Sequence, residues 1–215
     1  MDPVKTTVRH EDANESRQEI IGAAAEVFME FGYAASTIDA VADRLGATKG
    51  RVYHYYRSKA ELYFDVQIAA MENLLAQIEP LARAEGSPVE RLRRMGLRHT
   101  EVLLTESATQ KVAVQGLERN LLTAASARNL KTLRRIVRMR DEYEQLFAEV
   151  IDQGIRSGDF VDLPPRLATK PFFGTLNWVT VWFSPRKLQK PEDIKAIATI
   201  LTDFALRGML KEPQS

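Results

Sequence analysis

An all-α fold is what this sequence predicts, and three observations predict it. Apolar residues recur at helical spacing nearly throughout, long strand-like alternation is absent, and the punctuation consists of caps, glycine and proline. The pattern amounts to about nine helices, three short ones first. At 215 residues the chain can bury one good core or two modest ones.

Composition excludes more than it selects. Hydrophobic residues make up 45% and charged residues 27%, the balance of an ordinary folded, soluble protein. Without cysteine there is no disulfide framework, thiolate metal site or cysteine nucleophile. The first 14 residues are polar and mixed in charge, and no apolar run approaches the roughly 18 residues that span a bilayer. The expected location is cytoplasmic, with no membrane partner. A net charge of +1 names no partner, but from Arg44 to Lys59 there are five cations and no acid.

The elements follow in order. Ser16 with Glu19 reads as a capping box opening helix one behind an arm, residues 1–15, expected to be flexible. Ile20, Ala24, Val27, Phe28 and Phe31 carry the helical period, and Gly32 supplies the stop. Ser36 or Thr37 opens a short helix through Leu45, which Gly46 ends. Thr48 can cap a third, through Tyr55 or Tyr56. Ser58 with Glu61 makes a second capping box and starts a long helix that Pro80 kinks or ends.

After the loop at Glu85–Pro88, helical pattern runs to about Glu106 and from Ala108 to about Leu122. A long amphipathic helix spans Ser126 to Ser157, closed at Gly158. Pro164 and Pro165 precede an aromatic-rich helix, Phe172 to Phe183, and the last runs from Pro191 to about Leu210. The expected domains are 16–60, with the short helices, and 61–215.

Two helices joined by a tight glycine turn suit a helix-turn-helix, which presents its second helix to the DNA major groove. Ile38, Val41, Leu45 and Val52 would hold the pair together, leaving Thr48, Lys49, Arg51, Tyr53, His54 and Tyr55 outward. Hydroxyls and cations suit phosphate, and an arginine can fork onto guanine.

The run Thr37-Ile38-Asp39-Ala40-Val41-Ala42, then Gly46-Ala47-Thr48-Lys49-Gly50-Arg51-Val52-Tyr53-His54-Tyr55-Tyr56 and Ser58-Lys59-Ala60-Glu61-Leu62, resembles the DNA-binding signature of TetR/AcrR-type regulators. The likeness is close over residues 16–64 and is carried beyond by helix count, length and a few C-terminal positions. It implies that Thr37 touches phosphate and that Thr48 and Lys49 meet backbone and base edges. It implies also that Gly50 permits close approach, that Arg51 reads bases, that Tyr53 and Tyr55 reach phosphate or a base edge, and that Lys59 closes the grip. His54 divides between a phosphate contact and a local structural role. Arg51 stands where the family has a small residue, and Tyr56 where it has an inward Phe, so the Tyr56 hydroxyl needs a partner or a wet edge.

The resemblance further implies an effector-binding C-terminal domain and a homodimer paired through the last two helices. Ile194, Ile197, Ile200, Leu201, Phe204 and Leu210 offer one apolar face, and Phe172, Leu176, Val179 and Phe183 another. These stripes either pair two chains or close one chain's core. Asn177, Trp178 and Trp182 resemble a pocket wall of effector-sensing members, against the plain reading of core aromatics. From Arg128 to Arg140 six cations precede the first acid, and Arg91, Arg93, Arg94 and Arg98 add more. They are either a solvated surface or an anionic-ligand site, for which Arg94, Arg98, Arg135 and Arg138 are the candidates and an acyl-coenzyme A the candidate ligand.

An enzyme is not indicated. His10, His54 and His99 form no Glu-x-x-His pair, and hydrolase elbow, phosphate loop and dinucleotide motif are absent. Neither a cofactor nor a metal is expected. The expected function, as the resemblance implies it, is a ligand-responsive regulator, a repressor released from a palindromic operator by a small hydrophobic or acyl-CoA-like effector. The competing reading is a helical interaction module without DNA binding.

Overall fold

The computed structural model describes residues 3–114 and 127–211, with side chains from Asn14 onward except those of Ala127 and Arg128. The helices are α1 (Pro3–Ala35), α2 (Ile38–Leu45), α3 (Lys49–Tyr55), α4 (Lys59–Ala82), α5 (Pro88–Thr105) and α6 (Ser107–Val114). They continue as α7 (Ala127–Ser157), α8 (Pro165–Asn177), the single turn α9 (Val179–Trp182) and α10 (Pro191–Arg207). The part of the expected 108–122 helix beyond Val114, and Ser126 as the start of the long helix, lie outside the described residues.

Local chemistry accounts for most boundaries. Thr37 caps α2 by accepting from Ala40 N at 3.0 Å, and Ser87 with Glu90 forms a complete capping box on α5. Ser58 accepts from Glu61 N at 3.2 Å, but the Glu61 carboxylate turns to Arg57 N at 3.0 Å, so only half of the expected box forms there. The expected box at Ser16 does not form. The helix runs upstream to Pro3, leaving Ser16 in its interior with no free backbone donor to satisfy. Gly32 (φ 71, ψ 165) bends α1 three residues before its end instead of stopping it. Pro80 lies inside the last turn of α4, which closes at Ala82.

The helix α4 is the spine. It packs on α1 at one end and on α5, α6 and α7 along its length, burying Leu62, Val66, Met71, Leu74 and Ile78. Across α5 lies α10, close enough that a Cβ on Gly96 would sit 2.7 Å from the Thr202 methyl; only glycine admits that approach. Arg93 locks the same pair of helices through Asp203 at 2.7 Å.

Candidate nucleic-acid interface and ligand cavity

The turn between α2 and α3 is built by Gly46. Its φ of 65° and ψ of 28° close α2 in the left-handed conformation. Ala47 N donates to Ala42 O at 3.0 Å and Gly46 N to Asp43 O at 3.1 Å, the two bonds of a Schellman motif. Val52 is fully buried against Val41 and Ala42, which fixes which side of α3 faces out. At about 100° per residue, Gly50 and His54 point directly away from Val52, flanked by Lys49 and Tyr53 on one side and Arg51 and Tyr55 on the other. Thr48, Lys49, Tyr53 and His54 are exposed; Arg51 and Tyr55 are half-buried.

The cations of this face are engaged within the chain. Lys49 pairs with Asp39 of α2. Arg51 reaches back to α1, 2.5 Å from the Glu19 carboxylate and 3.4 Å from the Ser16 hydroxyl. The two residues expected to cap a helix therefore hold the arginine. Lys59 donates to the carbonyls of Tyr33 and Ala34 at 2.7 and 3.1 Å and lies 4.5 Å from the Tyr33 ring centre, a cation closing the exposed carbonyls of a helix end. Thr48 sits at the N-cap of α3, but its side chain makes no capping bond, so the expected cap does not form. Its hydroxyl stays available at a helix start.

One polar cluster binds α1 and the end of α3 to α4. Tyr56 donates to Asp65 at 2.9 Å, and Arg17 of α1 donates to the same oxygen at 2.5 Å. The Asp65 hydrogen bond raises the Arg17 pKa above its ordinary value, while burial and then the Asp65 carboxylate raise that of Tyr56. The sequence marked the Tyr56 hydroxyl as needing a partner; neither Arg17 nor Asp65 carried a signal of its own.

A cavity of about 350 Å³ opens between α4, α5, α6, α7 and α8. Met71, Leu74, Ala113 and Phe173 supply apolar wall, and the polar groups come from separate helices. His99 is buried and bridges two of them, Nδ1 to the Tyr143 hydroxyl at 2.7 Å and Nε2 to Asn177 Oδ1 at 2.9 Å. Burial pushes its pKa down to about 4, against a smaller upward pull from Asn177. The ring is therefore neutral near pH 7, donating from Nε2 and accepting at Nδ1. Gln110, fully buried on the wall, has neither amide atom hydrogen-bonded among the described residues; each unmet group costs about 1–3 kcal/mol. Arg140 donates to Gln67 Oε1 at 2.9 Å and to Ala113 O at 2.5 Å. Burial works against its charge, and no carboxylate pairs with it among the described residues. Glu144, also on the wall, is held by Lys170 at 2.6 Å.

Two family models match this chain: residues 20–66 fit "Bacterial regulatory proteins, tetR family", and residues 85–209 fit "Tetracyclin repressor-like, C-terminal domain". The chain belongs to the TetR family. It is a DNA-binding transcriptional regulator rather than an enzyme. It is 28% identical to the transcriptional repressor KstR2 of Mycobacterium tuberculosis H37Rv over 80% of this chain and 83% of that one. The KstR2 structure superposes with a TM-score of 0.76 at 24% identity, over 91% of this chain and 95% of the other. The Bacillus subtilis fatty acid metabolism regulator protein is 25% identical over 89% of this chain and 94% of its own. The fold also matches AibR, solved with isovaleryl coenzyme A and operator DNA, at a TM-score of 0.69 and 22% identity, over 87% of this chain and 98% of that one.

Within this TetR-family fold, the effector-site candidates drawn from sequence scatter. Asn177 lines the cavity. Arg94 donates to Glu85 O at 2.6 Å, and Arg98 is bonded to Gln77 at 2.9 Å and Glu101 at 3.4 Å. Arg135 pairs with Glu72 at 2.7 Å, and with Arg138 and Lys131 it borders a different groove, beside Asp65. Trp178 and Trp182, 62% and 50% exposed, do not line this cavity; Trp178 instead borders a separate open groove with Ile200 and Phe204. The reason is a break in the expected aromatic helix at Trp178, after which α9 continues on its own. His99, Gln110, Arg140 and Tyr143 were missed, since they come from three different helices and form no local motif.

The apolar stripes also divide differently. Phe172, Leu176, Val179 and Phe183 are buried within the chain, and Ile194, Ile197 and Leu201 pack against the cluster that Val179 and Phe183 form with Leu103 and Leu104 of α5. Those residues close the intrachain core, because the chain's own α5 and α10 already cover them. What stays open is Trp178, Val181 and Trp182 together with Ile200 and Phe204, 67% and 72% exposed.

Proposed function

We propose that this regulator is a ligand-responsive repressor, released from a palindromic operator when a small hydrophobic or acyl-CoA-like effector fills the cavity. One observation carries the reading: the cavity wall and the DNA-binding head share α4. Met71 and Leu74 line the cavity, while Asp65 and Lys59 of the same helix hold Tyr56 and the end of α1. A displacement of α4 by ligand is thereby a displacement of α3. Residues 16–60 act as the head and 61–215 as the sensing and pairing domain.

On the DNA side, Thr37, Thr48, Lys49, Tyr53, Tyr55 and Lys59 take phosphate and base edges. Gly50 permits close approach, Arg51 reads a base and His54 points at the groove between them. The pairing partner is a second copy, seated on the open face of Trp178, Val181, Ile200 and Phe204; exposed apolar side chains in one patch mark such a surface. A twofold dimer matches a palindromic site with half-sites about one helical turn, or a multiple of it, apart.

The cavity suits the acyl part of a coenzyme A ester, in keeping with the relatives whose names refer to fatty acid metabolism and isovaleryl coenzyme A. The test is fluorescence anisotropy of a labelled duplex from the DNA upstream of the chain's own gene, titrated with acyl-CoA esters of different lengths. Release at saturating effector is expected, and by linkage operator DNA weakens effector binding by the same factor. Unchanged operator affinity with effector bound would end the switch reading.

A further inference from the structure

We propose that the cavity takes a small organic acid, its apolar body against Met71, Leu74 and Phe173 and its carboxylate against Arg140 and Gln110. This rests on the reading of the cavity as the effector site and narrows it to a chemical class.

Two independent features of the wall point to the same group. Arg140 is a guanidinium largely removed from water whose partners are a neutral amide oxygen, Gln67 Oε1, and a backbone carbonyl, Ala113 O. Buried charges are ordinarily paired with an opposite charge, and among the described residues this one is not. Gln110 is fully buried with both amide atoms unbonded among the described residues, although buried polar groups ordinarily find partners. A carboxylate answers both, accepting from Arg140 and from Gln110 Nε2. The Gln110 oxygen then takes a donor, a hydroxyl or N–H on the ligand body.

The other titratable groups on the wall permit a ligand anion. Glu144 is neutralised by Lys170 at 2.6 Å, and His99 is neutral and satisfied on both nitrogens. With Lys170 and Glu144 cancelling, Arg140 leaves one positive charge among the described residues of the wall. At about 350 Å³ the space accommodates an acid of medium size but not a whole coenzyme A. The basic residues Lys131, Arg135 and Arg138, which could have met the nucleotide phosphates, border a separate groove.

The arginine also links recognition to α4. Charge-assisted bonds to a carboxylate are roughly twice as strong as bonds to a neutral oxygen, so the ligand acid outcompetes Gln67 Oε1 for the guanidinium. Gln67 is fully buried on α4 and also donates to Val112 O at 2.6 Å. Losing Arg140 strips the donor from its Oε1 while its amide nitrogen stays on Val112 O and the Tyr63 hydroxyl, so the change is passed to α4.

The experiment is calorimetric titration of the full chain with octanoate, 4-phenylbutyrate and cyclohexylacetate, each beside its primary amide, and with octanoyl coenzyme A. At least one acid is expected to bind tenfold or more tightly than its amide, and Arg140→Met is expected to erase that preference. Gln110→Met is expected to weaken the same acid several-fold while raising the melting temperature, since the unmet amide is gone. Should Arg140→Met fail to fold, Arg140→Lys, which keeps the charge, is expected to retain part of the acid preference. Amides equal to acids throughout, or no acid bound, would overturn the acid site, as would a preference that survives Arg140→Met. Octanoyl coenzyme A releasing operator DNA while the acids fail would overturn the acid and leave the effector reading standing. Acids held through Arg140 without operator release would uphold the site and sink that reading.

Discussion

Tyr56 donates its hydroxyl to Asp65 at 2.9 Å, across the junction between the end of the recognition helix and the first turns of α4. Arg17 meets the same carboxylate from α1 at 2.5 Å, so one acid fixes three helices. Asp65 is 20% exposed at its side chain, shielded enough for its bonds to matter. Tyr56 is 3% exposed, so removing its hydroxyl exposes no new surface.

Tyr56→Phe is expected to cost about 1–2 kcal/mol of stability, the ordinary value of a hydrogen bond to a charged group in a partly shielded setting. Asp65→Asn strands Arg17 as well and is expected to cost about 2–3 kcal/mol. Urea unfolding of the two single variants and the double variant measures the coupling directly. If the two losses simply add, the bond contributes nothing to holding α3 on α4. Operator affinity is expected to fall more than stability alone explains, because the loosened joint is the one that orients α3.

Arg51 presents two competing partners. Its bond to Glu19 at 2.5 Å is between side chains 38% and 49% exposed, and such surface pairs are worth under about 1 kcal/mol. A bidentate arginine–guanine contact contributes about 1–3 kcal/mol of discrimination. DNA therefore wins the guanidinium. Arg51→Ala is expected to lower operator affinity by about 1–3 kcal/mol with little change on random DNA, and Glu19→Gln to leave operator affinity level or slightly higher. Equal losses on both DNAs in a competition gel shift would show that Arg51 meets only the backbone.

What the sequence disclosed was what is local. A turn glycine, a cap and a signature of neighbouring residues are each written within a few positions, so Thr37, Gly46, Val52 and the outward face of α3 stood out. Ser16 and Glu19 had the spacing of a capping box, yet the helix extends past them and they bind Arg51 instead. Spacing cannot distinguish a helix start from one turn inside it. The cavity lay further from view. His99, Gln110, Arg140 and Asn177 come from four helices, and only tertiary packing brings them to one wall. The aromatic stripes failed for a related reason, since periodicity names an apolar face without naming what covers it. Trp178 and Trp182, read as pocket wall, lie on the open face.

That face sets the expected assembly. Phe204 at 72% and Ile200 at 67% exposure touch nothing that would compensate a large apolar side chain in water. Burying such a side chain contributes about 1.5–3 kcal/mol, and twofold symmetry counts it twice. Phe204→Glu is expected to raise the dimer dissociation constant at least a hundredfold, leaving helicity by circular dichroism unchanged because the side chain supports no intrachain core. Sedimentation velocity at micromolar concentration decides it. A wild-type chain that sediments as a monomer would remove this surface as the pairing site.

The neutral His99 gives the fold an acid limit with a definite sign. An exposed histidine takes its proton near pH 6.5, whereas burial holds His99 down to about 4. Between those values the unfolded chain binds a proton that the folded chain does not, so stability is full above about pH 6.5 and is lost as pH falls toward about 4. The whole loss from this group comes to about 3 kcal/mol, levelling off once both states are protonated. His99→Gln keeps a donor for Asn177 and an acceptor for the Tyr143 hydroxyl but does not titrate. Its stability, from urea unfolding at pH 7, 5.5 and 4.5 (roughly evenly spaced across the window), is expected to fall less steeply than that of the wild type by up to one proton. Parallel curves for the two proteins would mean that His99 is protonated in the folded state, and the bridge from α5 to α7 and α8 would then have to be held by an imidazolium.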